Sequence, residues 1–222
     1  MSGSLRLHGY WRSSCSYRVR IALNHKGVGF EYVPVHLVKD GGQQYSEAYL
    51  SKNPMGEVPA LEILDAAGET QAVLGQSVAI LEYIEEQYPE PAMLPKDAFG
   101  RAKVRQLVEV VNSSIQPIQN LKVMRALGTH YDVEMAEAKK WGAYWIQRGF
   151  EGLEPIMAPV AGTYAFGDQV TLADAALIPQ VYNANRFGID LNQFPTIQRV
   201  HENAQKLEAF QKAAPENQPD AQ

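Results

Sequence analysis

Three serines and a cysteine stand side by side near the amino end of the chain, in the segment "WRSSCSYRVRIAL" at residues 11–23. A serine oxygen suits the N-cap of a helix because it accepts hydrogen bonds from unpaired N–H groups of the first turn. A helix N-terminus also stabilises anions and lowers the pKa of a thiol from its reference value of about 8.5. Ser13, Ser14 and Cys15 are therefore candidate catalytic residues around a thiolate or another anion. The alternative is an ordinary serine N-cap beside a buried cysteine.

Two further segments offer groups that suit a small ligand. In "EVPA", a cis bond between Val58 and Pro59 would expose the main chain of Val58, whereas a trans proline on an edge strand is the alternative. In "GQSVAI", Gln76 and Ser77 begin a helix, and an amide, a hydroxyl and free N–H groups suit a carboxylate. The alternative there is a serine N-cap with a solvated glutamine.

Polar and cationic side chains in other segments indicate a charged substrate. Arg12 precedes the serines and Arg186 lies in "NANRFG"; because a guanidinium binds a carboxylate through two bonds, the pair suits a diacid. A surface salt bridge is the alternative for each arginine. In "SIQPIQNLK", Gln116 and Asn120 are four residues apart, so a helix would place them on one face. Pro117 between them predicts a kink or break.

The elements around the serine segment predict a small α/β unit. "LRLHGY" alternates like a strand, the next helix carries an apolar stripe, and "FEYVPV" is a second strand. The basic residues of that helix lie off the stripe: Arg18, Arg20 and Lys26. "VPALEIL" and "TQAVLG" form a hairpin around Gly68, and "SVAILEYIEEQY" is a helix. The order predicts a sheet with a parallel start and an antiparallel finish.

A proline-rich stretch at 88–97, "YPEPAMLPKD", marks a linker between residues 4–87 and a helical region at 98–222. That region shows one long helix interrupted at Pro117 and three further helices. In "TLADAAL", Thr171 and Asp174 have the spacing of a capping box. The end, "ENQPDAQ", reads as a frayed tail.

Composition excludes several function classes. The chain has 222 residues, a net charge of −5 and 45% hydrophobic residues, which is globular composition and argues against nucleic-acid binding. Its one cysteine cannot form an internal disulfide, which favours a reducing compartment. No apolar run long enough for a membrane span and no signal-peptide core occur, so a cytoplasmic protein is expected. The histidines have no metal-ligand spacing, and no metal is expected.

The segments "SSCSYRVRIAL", "KDGGQQY", "NPMGEVPAL", "GQSVAILEYIEEQYP" and "GDQVTLADAALIPQV" together resemble the zeta class of glutathione transferases. The resemblance extends from residue 5 to about residue 219, and the serine–serine–cysteine motif is its most class-specific part. It implies an N-terminal thioredoxin-like domain with a C-terminal helical-bundle domain, the glutathione transferase fold, and a homodimer. It also implies reduced glutathione as the cofactor, with Ser14 donating to its thiolate and Cys15 beside it.

The resemblance further implies a cis bond at Val58–Pro59, with Val58 pairing with glutathione through its backbone. The glutathione contacts that it implies are Ser13, Ser14, Cys15, Gln44, Val58, Pro59, Gln76, Ser77, Gln116 and Asn120.

The activity that the resemblance implies is cis–trans isomerisation of maleylacetoacetate to fumarylacetoacetate in tyrosine and phenylalanine breakdown. The glutathione thiolate adds reversibly to the double bond, and Arg12 and Arg186 bind the substrate carboxylates. Cys15 and Gln116 favour this substrate, because the related maleylpyruvate isomerase lacks the cysteine motif and has histidine at the second position. The alternatives are maleylpyruvate isomerisation, general glutathione transfer including α-haloacid dehalogenation, and a non-catalytic binding protein with the same fold.

Overall fold

A four-stranded mixed sheet organises the amino-terminal part of the chain in the computed structural model, which describes residues 4–222. The strands are β1 (Leu5–Gly9), β2 (Phe30–Pro34), β3 (Ala60–Leu64) and β4 (Thr70–Gly75), in the order β2-β1-β3-β4. β1 runs parallel to β2 and antiparallel to β3, and β3 and β4 form an antiparallel pair. The predicted parallel start and antiparallel finish are confirmed. So is the turn at Gly68, whose φ of 85° suits glycine.

The described residues divide into two units, one of residues 4–91 with Leu207–Gln222 and one of Ala92–Lys206. The first unit contains the sheet and four helices: α1 (Ser14–His25), α2 (Glu47–Leu50), α3 (Ser77–Gln87) and α9 (Glu208–Ala213). The segment Leu207–Gln222 was expected in the helical region but belongs to the first unit, because α9 packs against α1.

The helix α1 is buried on all sides, so the prediction that its basic residues lie outside the buried surface is wrong. The side chains of Arg18 and Arg20 have no exposed surface, and Lys26 is also buried. Lys26 Nζ donates to the carbonyls of Tyr88 and Pro91, at 2.6 and 2.8 Å. Long basic side chains can therefore be buried here because their charged ends reach polar partners inside the unit.

A buried carboxylate joins the strands of the sheet. Glu62 on β3 is fully buried and its carboxylate pairs with His8 Nε2 at 2.6 Å and accepts from Thr70 Oγ1 at 2.7 Å. Burial alone would raise the pKa of Glu62, but hydrogen bonds from Lys52, Thr70 and His8 outweigh it and lower the pKa to about 2. The carboxylate is therefore charged at neutral pH and ties β1, β3 and β4 together.

The carboxyl-terminal tail is ordered against this unit, so the prediction of a frayed end is wrong. Pro215 is buried, Asn217 Nδ2 donates to the carbonyl of Gln211 at 2.7 Å, and the backbone N–H of Trp11 donates to Asp220 Oδ2 at 3.0 Å. The polar residues that suggested fraying instead satisfy backbone groups.

The second unit is helical. Its helices are α4 (Ala98–Ser114), α5 (Leu121–Tyr131), α6 (Met135–Met157), α7 (Leu172–Arg186) and α8 (Pro195–Ala204). The predicted interruption at Pro117 is confirmed, because α4 ends before it and α5 begins after it. The capping box of Thr171 and Asp174 at the start of the largely buried α7 is also confirmed. Within residues 4–222, no helix combines the length and the apolar character needed to cross a bilayer.

Candidate active site

The serine–cysteine segment forms the amino end of α1. Ser13 is the N-cap residue, with β-region backbone angles, and its Oγ accepts from the N–H of Ser16 at 3.2 Å. The predicted serine N-cap is therefore confirmed. Ser16 is fully buried and its Oγ accepts from the N–H of Tyr10 at 3.3 Å. Ser13 and Ser16 thus fix the start of the helix rather than present their hydroxyls to a ligand.

Ser14 and Cys15 are the first two residues of the helix and present unpaired donors. Among residues 4–222, neither the hydroxyl of Ser14 nor the backbone N–H groups of Ser14 and Cys15 have a hydrogen-bond partner. The Ser14 side chain is buried, whereas Cys15 is half-buried and is a free thiol. Unpaired N–H groups at a helix start, with a hydroxyl donor beside them, form a site that stabilises an anion.

The main chain of Val58 is available beside a cis Val58–Pro59 bond, which agrees with the expectation from the resemblance. Its N–H and C=O have no partner among residues 4–222. The preceding carbonyl, of Glu57, accepts from Tyr49 Oη at 2.6 Å and from Asn53 Nδ2 at 2.7 Å. These two bonds fix the peptide plane that leads into Val58, so its main chain is presented in one orientation.

The start of α3 forms a second set of polar groups. Gln76 has a φ of 64°, which is unusual for a residue other than glycine and is typical of functional sites, and it provides no side-chain cap for α3. Its Nε2 donates to Glu57 Oε2 at 3.3 Å, which links this helix start to the Val58 segment. Ser77 is buried and its Oγ accepts from Arg18 Nη1 at 3.1 Å. The bond from Arg18 leaves the Ser77 proton able to donate to a carboxylate.

Gln44 lies in a short 3-10 turn, Gln43–Tyr45, and its amide is buried. Its Oε1 has no hydrogen-bond partner among residues 4–222. Gly42 precedes it with a φ of 111°, and a Cβ there would lie 2.7 Å from the Gln44 amide. A buried, unpaired amide oxygen is costly in a folded protein, so Gln44 Oε1 is a candidate acceptor for a ligand N–H group.

Gln116 and Asn120 lie in the second unit, in the turn between α4 and α5. The expectation that they share a helix face is wrong because the helix ends at Ser114. Gln116 is buried, and Asn120 is the N-cap of α5, with its Oδ1 accepting from the N–H of Lys122 at 3.0 Å. Asn120 thus has a structural role, and a glutathione contact at either residue stays a prediction.

The two candidate carboxylate-binding arginines both stack on aromatic rings. The Arg12 guanidinium lies 5.3 Å from the ring centroid of Trp11, and Arg12 is half-buried. Arg186 is the last residue of α7, is exposed, and lies 6.0 Å from the ring of Tyr182. Arg12 has no salt bridge to a carboxylate among residues 4–222. Stacking on Trp11 holds the Arg12 guanidinium while leaving its N–H edge able to bind a carboxylate.

Sequence reasoning missed four residues that support this site. Arg18 holds Ser77, Tyr49 and Asn53 hold Glu57, and Arg20 donates to the backbone of the loop before α1. The sequence carried only part of the signal for these residues. Two arginines in a helix that begins at a candidate site indicate that one or both bind polar groups inside the protein. Periodicity of apolar residues cannot find such side chains, because they count as polar wherever they point.

Comparison with known proteins identifies the family of this chain. Residues 7–92 match the family model "Glutathione S-transferase, N-terminal domain". The chain is 45% identical to the maleylacetoacetate isomerase of Dictyostelium discoideum over 97% of its length and 95% of the relative's. The chain belongs to the zeta class of glutathione transferases.

Two solved structures are similar to this zeta-class transferase along its whole length. The maleylacetoacetate isomerase of Anaeromyxobacter dehalogenans, with GSH bound in its active site, has a TM-score of 0.89 and 47% identity and covers 100% of this chain and 99% of its own. A further crystal structure of that protein holds dicarboxyethyl glutathione and citrate. A maleyl pyruvate isomerase, described as a bacterial zeta-class transferase, has a TM-score of 0.90 and 44% identity, covering 98% and 100%.

The residues of the first unit fit glutathione by their chemistry. The start of α1 has donors for a thiolate, Val58 has a free peptide group, and the uncapped start of α3 with Ser77 has donors for a carboxylate. Gln44 has an unpaired, buried acceptor. These segments are joined by direct bonds, from Arg18 to Ser77 and from Gln76 to Glu57.

Proposed function

We propose that this zeta-class glutathione transferase isomerises maleylacetoacetate to fumarylacetoacetate, with reduced glutathione as its cofactor, in tyrosine and phenylalanine catabolism. The observation that carries the proposal is the amino end of α1. There the hydroxyl of Ser14 and the N–H groups of Ser14 and Cys15 are unpaired and able to stabilise a sulfur anion. Relatives that carry the maleylacetoacetate isomerase name match the chain over nearly its full length.

Each part of the site has a separate task. Bound glutathione supplies a thiolate that adds reversibly to the substrate double bond, so that rotation about the resulting single bond is possible. Ser14 donates a hydrogen bond to the sulfur and favours its anionic form. Ser77 and the start of α3 hold a carboxylate of the tripeptide, and the main chain of Val58 pairs with its backbone. Gln44 accepts from a donor of the tripeptide. Contacts from Gln116 and Asn120 belong to the same proposal.

A spectrophotometric assay with maleylacetoacetate, with and without glutathione, tests this function. We expect isomerisation only when glutathione is present, and we expect the tripeptide to be recovered unchanged. A rate that does not depend on glutathione, or the absence of any rate, would contradict the proposal. A conjugate that accumulates in proportion to turnover would instead support general glutathione transfer, and release of halide from an α-haloacid would measure the dehalogenation activity of the same site.

Replacing Arg186 with alanine tests the proposed binding of a diacid. We expect the KM for the dicarboxylate to rise by about 10- to 100-fold, because a charge-assisted bidentate contact is lost, and the KM for glutathione to stay nearly constant. Steady-state kinetics with each substrate varied in turn measures both constants. Arg148→Ala is the matched control, since Arg148 is exposed in the same unit and pairs with Glu151 at 2.9 Å. Equal increases in both constants would contradict the assignment.

Maleylpyruvate is a second candidate substrate. The chain is 44% identical over 98% of its length to the maleylpyruvate isomerase of a Ralstonia species, nearly the same identity as to the Dictyostelium protein. Maleylpyruvate and maleylacetoacetate both carry a carboxylate at each end, and in both the cis double bond lies between one carboxylate and a ketone, so the same thiolate and arginines serve either. The ratio of kcat/KM for the two acids, measured on one enzyme preparation, decides which is the better substrate.

A cytoplasmic homodimer completes the proposal. The free thiol of Cys15 is stable in a reducing compartment. On α6, the side chains of Trp141 and Tyr144 are 41% and 56% exposed, and aromatic residues are enriched at protein interfaces. Light scattering on the purified protein measures the mass directly, and a monomer would contradict the dimer.

A further inference from the structure

The loop that leads into α1 is held by side chains that come from outside the loop. At Trp11, the backbone N–H donates to Asp220 Oδ2 at 3.0 Å and the carbonyl accepts from Arg20 Nη2 at 2.9 Å. At Tyr10, the carbonyl accepts from Arg20 Nη1 at 3.4 Å and the N–H donates to Ser16 Oγ at 3.3 Å. Both polar backbone groups of Trp11 are therefore fixed by two side chains, three residues before Ser14.

Arg20 connects this loop to the carboxyl-terminal helix. Its side chain is fully buried, and its Nε donates to the carbonyl of Ala213, the last residue of α9, at 2.9 Å. The guanidinium lies 5.4 Å from the ring of Tyr17 and 5.9 Å from the ring of Tyr32. A buried guanidinium needs several acceptors, and here the loop and α9 supply three carbonyls. The position of the loop is thereby tied to that of α9.

The segment after α9 is anchored so that Asp220 reaches the loop. Gln218 Nε2 donates to the carbonyls of Lys212 and Ala214, at 2.9 and 2.8 Å, which satisfies groups at the end of α9. Asp220 lies close to Tyr32, where burial raises the pKa of the phenol and Asp220 raises it further. The carboxylate that binds Trp11 thus comes from the third-last residue of the chain.

We propose that the carboxyl-terminal segment Leu207–Gln222 is a positioning element of the thiolate site, with Asp220 and Arg20 as its positioning residues. The stabilisation of an anion at a helix start depends on where the first N–H groups point and falls off within one turn. A small displacement of a reacting group lowers a rate considerably. Asp220 and Arg20 set the path of the loop and so set the direction of the Ser14 hydroxyl. The proposal rests on the proposed function of that site.

Three variants test the role of Asp220. Asp220→Ala removes the acceptor for the Trp11 N–H, whereas Asp220→Asn keeps a carbonyl oxygen in the same place. Glu216→Ala is the matched control, because Glu216 is an exposed carboxylate on the same segment. The first readout is hydrogen–deuterium exchange of the peptide covering residues 10–15 in protein without ligand. We expect about tenfold faster exchange in Asp220→Ala. We expect wild-type exchange in Glu216→Ala and nearly wild-type exchange in Asp220→Asn.

The second readout is the pKa of glutathione's thiol in the complex, followed by the ultraviolet absorbance of the thiolate as pH is changed. We expect this pKa to rise by about half a unit in Asp220→Ala, with a fall of three- to tenfold in kcat/KM, and near recovery in Asp220→Asn. Lower thermal stability alone would not move a thiol pKa.

Wild-type exchange in Asp220→Ala, or an unshifted thiol pKa in that variant, would overturn the positioning role. Wild-type protein that binds glutathione but does not isomerise would contradict the proposed function only, because the exchange measurement needs no substrate.

Discussion

Alanine in place of Ser14 is expected to lower kcat at saturating glutathione by about 100- to 1,000-fold. Loss of one hydrogen bond to a developing anion in a buried site has effects of that size. Ser14 is a buried residue, but its hydroxyl is unpaired and is not among the fully buried polar atoms, so the substitution removes an accessible donor without breaking another contact. The fold should remain intact, because α1 keeps its N-cap at Ser13. Steady-state turnover, together with the pH dependence of kcat, measures the loss.

Two companion variants separate this effect from other consequences of substitution. Ser51→Ala removes an exposed serine hydroxyl from the same unit and should leave kcat unchanged. Cys15→Ala measures how much the neighbouring thiol contributes to kcat, a question that the sequence leaves open. A smaller loss than in Ser14→Ala would assign the thiolate contact to the serine. Turnover near that of wild type in Ser14→Ala would remove Ser14 from the mechanism.

Alanine in place of Asp174 is expected to lower the free energy of unfolding by about 3 kcal/mol. The carboxylate is fully buried and accepts from the N–H of Ala165 at 2.8 Å and from the N–H and Oγ1 of Thr171 at 2.8 and 2.9 Å. Its loss leaves these buried donors without partners. Urea unfolding at neutral pH measures the change. Glu137→Ala, which removes an exposed carboxylate from α6, should change stability by less than about 1 kcal/mol.

The same residue gives stability a defined pH dependence. Burial raises the pKa of Asp174 to about 6, although hydrogen bonds from Ala165 and Thr171 act in the opposite direction. The folded state then holds this proton more tightly than the unfolded state, whose carboxyl has an ordinary pKa near 4. Stability contributed by this group is complete below about pH 4 and falls as pH rises towards 6. In Asp174→Asn that decline should disappear; an identical pH profile would contradict the shifted pKa.

Much of the fold could be predicted because local patterns agreed with one another. Alternation in "LRLHGY", the turn at Gly68 and the break at Pro117 each depend on a few neighbouring residues, and the structure confirms all three. The capping box at Thr171 is also a local pattern, since the two residues that bond each other are three apart. The serine N-cap at Ser13 belongs to the same kind of signal.

The features that sequence could not give depend on contacts between distant residues. Arg20 reads as solvent-facing by apolar periodicity, yet its partners are carbonyls of Tyr10, Trp11 and Ala213. Asp220 lies in a polar end that resembles a frayed tail, and only the folded chain brings it to Trp11. Gln116 and Asn120 are four residues apart, but α4 ends at Ser114 and α5 begins at Leu121, so no helix places them on one face. Spacing rules hold only within one continuous element.

The central claim is that the amino end of α1 holds the sulfur of glutathione as an anion beside Ser14. A crystal structure of the protein with reduced glutathione tests it most directly. We predict a sulfur within about 3.5 Å of Ser14 Oγ and facing the N–H groups of Ser14 and Cys15, with the tripeptide backbone paired to Val58. A tripeptide bound with its sulfur away from Ser14, or bound elsewhere on the protein, would contradict the claim.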